Sequence, residues 1–153
     1  EWKLVAKREM LVPYNSYAVH QQGIPYDNIV GPRTLNPELL RYELHRVWVV
    51  DATLRKGYSH PYSKRRFYVD EDSWSILAVD LYDEQGELIG LQESHPISYY
   101  ELPMFNSTVE TLYHLKEGNY FVDGLDNNEP MYDFGARLGP RDFSPAALRR
   151  GGN

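Results

Sequence analysis

The side chains with the widest chemical range are the five histidines, His20, His45, His60, His95 and His114, and the carboxylates near them. None falls in an HExxH or HxH pattern, and no pair has the i, i+2 or i, i+4 spacing that sets two metal ligands side by side. Glu93 and His95 share one face of a strand and could act as a base and its orienting partner. His45, on the polar face of a long strand, could meet His95 or His114 across a sheet. The acidic run Asp123, Asp126, Asn127, Asn128, Glu129 has oxygens enough for calcium but lacks the spacing that wraps them around one ion, so it reads as a solvated loop with Asx turns. Cysteine is absent, and there is no GxSxG elbow or glycine-rich phosphate loop. The pattern points to no catalytic residues, no metal and no cofactor.

Recognition chemistry is more visible. In RYELHRVWVVDATL, every second residue from Tyr42 is apolar except one: Tyr42, Leu44, Arg46, Trp48, Val50. Trp74 and Ile76, or Phe67 and Val69, extend this stripe according to the register of the next strands. Each such side chain contributes about 1.5 to 3 kcal/mol when buried, so the stripe reads either as core or as the lining of an acyl-chain site. Arg46 and Arg8 interrupt apolar stripes, and an unpaired buried guanidinium would cost several kcal/mol. Each therefore reaches the rim or pairs with a carboxylate, or it anchors a lipid headgroup, carboxylate or glycerol ester through its planar fork.

The elements that must position these residues are strands. Alternation predicts a first strand over Trp2 to Val12, with Trp2, Leu4, Ala6, Met10 and Val12 on one face. Later strands are expected at Arg65 to Asp70, Trp74 to Tyr82, Glu87 to Ser94, Thr108 to Leu115 and Tyr120 to Val122, joined by DEDS, DEQG and KEGN turns. Gln21 to Pro37 reads as a long irregular connection, of a length that is functional or poorly ordered. Asn36 is expected to cap a short helical turn, and Ser144 a terminal helix with Pro145 at its first position. The rest of Gly124 to Asn153 reads as irregular tail. At ~3.4 Å per residue, the strand carrying the stripe would be roughly 40 Å long and must curl.

Length and composition bound the rest. The 153 residues, 42% hydrophobic and 25% charged, suit one globular domain. A net charge of -6 argues against a nucleic-acid binder that relies on diffuse positive charge. Thirteen tyrosines against five phenylalanines favour half-exposed sheets and amphipathic pockets. The chain opens on EWKLVAKREM, already strand-like, and is expected to be the C-terminal part of a longer precursor.

RYELHRVWVVDATL, RRFYVDEDSWSILAVDLYDEQGEL, GLDNNEP and DFSPAALRR, in that order, resemble the C-terminal part of a Gram-negative envelope family of unknown function. That family is often labelled outer-membrane lipoprotein-sorting, and it is similar in fold to the lipoprotein carrier LolA and its receptor LolB. The resemblance implies a mainly β fold, a strongly curved antiparallel sheet forming an open half-barrel whose concave face is apolar. It also implies a noncatalytic periplasmic carrier of a lipid, acyl chain or lipoprotein, associated with the outer membrane. The expected ligand-binding residues are Tyr42, Leu44, Arg46, Trp48, Val50, Trp74 and Ile76. The alternative is an adaptor module beside an outer-membrane or transporter partner. An open sheet edge would favour homo-oligomers.

Overall fold

The computed structural model describes residues 1–130 and 132–151. Seven strands run in sequence order through one antiparallel meander: β1 (Trp2–Pro13), β2 (Tyr42–Thr53), β3 (Lys64–Asp70), β4 (Ile76–Tyr82), β5 (Leu88–Tyr99), β6 (Met104–His114) and β7 (Asn119–Asp123). Each strand pairs with its neighbours in the chain, and β1 and β7 remain as edges, so the sheet is not closed into a barrel.

The curl is visible in what touches across the sheet. Val12, Val47, Val49, Tyr68, Leu77 and Ala78, drawn from β1 to β4, form one buried cluster joined by Phe105 of β6. In a flat sheet, β1 and β6 would stand roughly 24 Å apart. The sheet therefore bends about this inner face, and Ser16, just beyond β1, donates its backbone N–H to Pro96 O of β5 at 2.8 Å.

Gln21 to Pro37 is an ordered cover rather than a loose connection. Val19, Ile29 and Leu35 are fully buried against Val109 of β6, with Tyr120 and Val122 of β7 beside them. A short α1 (Tyr26–Ile29) lies in this segment, and Asn36 caps the next turn by accepting from Glu38 N at 3.1 Å, as its position predicted. Asn127 locks the cover down: its buried amide donates to Val19 O at 2.7 Å and Gln21 O at 2.9 Å. The expected solvated acidic loop thus contains a structural latch. Gly124 enters this turn at φ +73°, where a Cβ would lie 1.5 Å from Thr108 O, so only glycine fits. The terminal helix, α2 (Pro145–Gly151), starts at Ser144, whose hydroxyl accepts from Ala147 N at 3.2 Å. The tail's expected last residues, Gly152 and Asn153, lie outside the described residues.

Two expectations need correction. The first strand does not keep Trp2, Leu4, Ala6, Met10 and Val12 on one face: a bulge at Val5 pairs Leu4 with Val50 but Ala6 with Val49. The extra residue reverses the alternation, leaving Trp2 and Leu4 on the outer face and Ala6, Met10 and Val12 on the inner one. The hairpin of β5 and β6 also runs further than turn chemistry suggested, because the ladder passes Pro96 through a register shift between His95 and Pro96.

Candidate functional site

From Leu44 on, the apolar stripe of β2 faces away from the core, while Tyr42, at the start of the strand, reaches across to Glu93 of β5. The odd neighbours Val47 and Val49 are the buried residues, and Leu44 is 66% exposed. The expected concave lining is therefore corrected: the concave side is filled by the protein's own side chains, and the stripe lies on the outer face. Register then shows what the stripe joins. Trp48 pairs with Val69, and Val69 with Ile76; Leu4 pairs with Val50, Val50 with Phe67, and Phe67 with Val79. Phe67 and Val69 thus belong to the same patch as Ile76, and Trp2 adds its ring 5.4 Å from that of Phe67.

Trp74 occupies a different kind of position. It sits in the turn between β3 and β4 at φ +59° and is 70% exposed. That backbone region is costly for a bulky aromatic side chain. Asp70 stabilises the turn: fully buried, it accepts from Ser73 N at 2.8 Å, Ser73 Oγ at 2.7 Å and His45 Nδ1 at 2.9 Å. His45 therefore meets Asp70, and neither of the two histidines considered from sequence. His45, Asp70 and Asp72 are the one trio of metal-capable side chains brought together among the described residues, and the existing hydrogen bonds already satisfy Asp70.

Arg46 is 60% exposed on its side chain and pairs with Glu71 at 2.5 Å. Glu71 also binds Lys7, whose ammonium lies 4.5 Å over the Trp48 ring. The two cations hold the Glu71 carboxyl below the usual carboxylate range. Arg46 belongs to a surface ion cluster that half covers Trp48, the arrangement in which a guanidinium on an apolar stripe is paired at the rim. Arg8 crosses the inner face to Tyr68, with its Nη2 3.3 Å from the hydroxyl, and Tyr68 in turn donates to Asp80 at 2.7 Å.

Two concavities open beside the outer patch. One, of about 350 Å³, lies between Trp2, Ala52 and Leu54 and the β2–β3 connection that carries Tyr58 and Tyr62. The other, about 220 Å³, has Phe67, Ile76 and Val79 on one side and Gln92, Ser94 and Glu110 on the other. Phe67 and Val69, the alternative extension of the stripe, join it together with Ile76, whereas Trp2, Leu4 and the tyrosines of the connection were not among the expected site residues. The alternation of β3 was the signal for Phe67; nothing in sequence placed the connection against Trp2.

A second arrangement is buried on β5, between the two core clusters. The Tyr42 hydroxyl reaches both oxygens of Glu93 at 3.1 Å, and its ring stands edge-on to His95 with centroids 6.5 Å apart. His95 is completely buried, and neither of its ring nitrogens has a hydrogen-bond partner; the hydroxyl of Thr111, across from Glu93 on β6, also lacks one. Burial, with the nearby His20 adding to it, lowers the His95 pKa to about 4, so the ring is neutral at pH 7. Burial also raises Glu93 above the usual carboxylate range, against the opposing effect of the Tyr42 hydrogen bond. Glu93 and His95 do share a strand face as expected, His95 fully buried and Glu93 half-buried under the Tyr42 hydroxyl.

The strands thus form an open antiparallel meander with a packed inner face and an apolar, partly exposed outer face. The chain belongs to the DUF1329 family, described as a protein of unknown function, whose profile matches residues 1–149. It is 45% identical over 153 residues to the uncharacterized protein PA3922 of Pseudomonas aeruginosa, a match that takes in 99% of this chain and 34% of that protein. The chain thus spans about a third of that relative's length. Among solved structures it is similar to a DUF1329 protein from Desulfovibrio piger, with 23% identity, a TM-score of 0.48, and coverage of 68% of this chain and 41% of that one. It is also similar to a domain from Vibrio parahaemolyticus described as a proposed outer membrane lipoprotein-sorting protein, with 19% identity, a TM-score of 0.49, and coverage of 69% and 43%.

Proposed function

We propose that this chain supplies an apolar binding wall of a noncatalytic carrier in the Gram-negative envelope, one that holds a lipid, an acyl chain or the acylated end of a lipoprotein. The observation that carries this reading is the contiguous outer patch Trp2, Leu4, Trp48, Val50, Phe67 and Ile76, in which Trp2, Leu4 and Ile76 are exposed and which opens into two grooves. Exposed contiguous apolar surface of this kind marks binding surfaces in soluble proteins. Loading and release need only a change in relative affinity, as a partner covers or uncovers the patch. A periplasmic setting beside the outer membrane fits such cargo.

Native mass spectrometry after gentle purification, followed by lipid extraction, tests the reading. Co-purifying lipid, or saturable displacement of a fluorescent fatty acid, is the expected result; an empty protein that ignores fluorescent fatty acids overturns it.

A second reading has its own support. Because this chain spans only about a third of a relative's length, the outer patch could dock against further chain of such a longer protein or against an envelope partner. The unpaired β1 edge offers a third contact, edge-to-edge pairing of two copies, which its charged residues Lys3, Lys7 and Glu9 oppose. Light scattering at high protein concentration separates these: a strict monomer contradicts the self-paired form.

A further inference from the structure

The outer patch ends in a groove whose charge differs from that of the molecule as a whole. The protein carries a net charge of -6, yet Arg55, His60 and Arg65 all line the 350 Å³ groove, with Glu1 as the one carboxylate among its lining residues. Among the described residues, no carboxylate lies within 4 Å of the Arg55 or Arg65 guanidinium or of the His60 ring, whereas Arg46, Arg66, Lys7 and Lys116 each have an acidic partner. Arg65 is the best placed. It stands on β3, paired with Ala52 on one side and Leu81 on the other, on the same face as the apolar patch. Its guanidinium lies 5.5 Å over the ring of Phe67, which fixes the side chain along the patch without using its hydrogen-bond donors. The groove wall is aromatic, from Trp2, Tyr58 and Tyr62. His60 is held at the rim, its Nδ1 accepting from Tyr62 N at 3.1 Å.

We infer that this groove binds the anionic head of an amphiphile, a carboxylate or phosphate, on Arg65 with Arg55 and His60 at the rim, while the tail lies along the Trp2–Phe67 side of the outer patch. A guanidinium with free donors beside an apolar surface suits such a head, since its planar fork matches two oxygens of a carboxylate or phosphate. A cationic head would meet the two like charges of Arg55 and Arg65. A neutral ester would gain the apolar contacts but leave the guanidinium unused. The groove volume lies in the range of small-molecule sites. This inference rests on the proposed carrier reading and adds the head-group class to it.

Competition titrations with oleate and methyl oleate, which share one tail, test it directly, and dodecyl phosphate replaces oleate in a second arm to distinguish the two anions. Oleate or dodecyl phosphate is expected to bind about tenfold or more tightly than methyl oleate. Arg65→Gln should remove that preference with methyl oleate affinity unchanged, Arg65→Lys should retain part of it, and Arg46→Gln, whose side chain is already paired, should leave it intact. Equal affinity for oleate and methyl oleate, or a preference that survives both Arg65→Gln and Arg55→Gln, overturns the head-group assignment alone. If none of the ligands binds, the assignment and the carrier reading both fall.

Discussion

The outer face of β1 to β4 and the seam on β5 and β6 reverse the usual distribution of side chains. Tryptophan, leucine and isoleucine stand in solvent on the first, while an imidazole and a threonine hydroxyl are sealed without partners in the second. Soluble proteins commonly expose isolated apolar residues, but a contiguous patch costs solubility, and a buried unpartnered polar group costs about 1 to 3 kcal/mol. Neither arrangement favours folding. The outer face joins apolar residues of four strands, several of them exposed; the seam holds unpartnered polar groups between apolar core clusters. What differs is where water is excluded: the core clusters keep it from His95, while on the outer face Trp2, Leu4, Leu44 and Ile76 remain exposed.

The largest effect should come from the core that sustains this contrast. Leu77→Ala, at a fully buried site, is expected to destabilise by about 2 to 5 kcal/mol, while Leu44→Ala on the outer face should change stability by no more than about 0.5 kcal/mol, both read from urea unfolding. Comparable losses at the two sites would mean that the outer face is core after all.

The seam should respond to acid. With a folded pKa of about 4 against an ordinary 6.5, His95 contributes stability that is fully present above 6.5 and is lost as pH falls towards 4, roughly 3 kcal/mol in all. Glu93 has the opposite sign: its raised folded pKa gives a contribution present at low pH and lost as pH rises through that value. Replacing the ring nitrogens in His95→Phe should flatten the fall between pH 6.5 and 4, with no loss of stability at pH 7. A slope unchanged by the substitution would place the acid sensitivity elsewhere.

Smaller still, Thr111→Val removes the unpartnered hydroxyl and should be neutral or stabilise by up to about 1 kcal/mol. Glu71→Gln should have the smallest effect of the set on the urea midpoint, and high salt should erase even that difference, because Arg46 and Lys7 meet Glu71 near the surface.

Much of the sheet was legible in the sequence, because alternation and turn residues place strands independently of tertiary context. β3, β4 and β7 begin and end within two residues of expectation, and both capping serine and asparagine do what their positions imply. The choice of buried face on β2 was not legible. Val47 and Val49 on one side and Leu44, Trp48 and Val50 on the other are about equally apolar, and burial was decided by what distant strands brought to each side. The bulge at Val5 was hidden for a related reason: it reverses the alternation within one strand and leaves no composition signal. Pairing of Arg46 with Glu71 depends on how the β3–β4 turn folds beside β2, a non-local fact. The candidate site residues Trp48, Val50 and Ile76, and Phe67 as an alternative, were visible as a pattern, while Trp2 and Arg65 joined them only through register.

All three tryptophans of the chain, Trp2, Trp48 and Trp74, belong to the outer face or to the turn at its end, so their fluorescence reports on that face alone. Titration with a brominated fatty acid, whose tail quenches tryptophan on contact, therefore probes the central claim most directly. Saturable quenching that the unbrominated acid competes away is the expected result; weak, non-saturating quenching equal to that of free tryptophan would rule out a lipid site on this face.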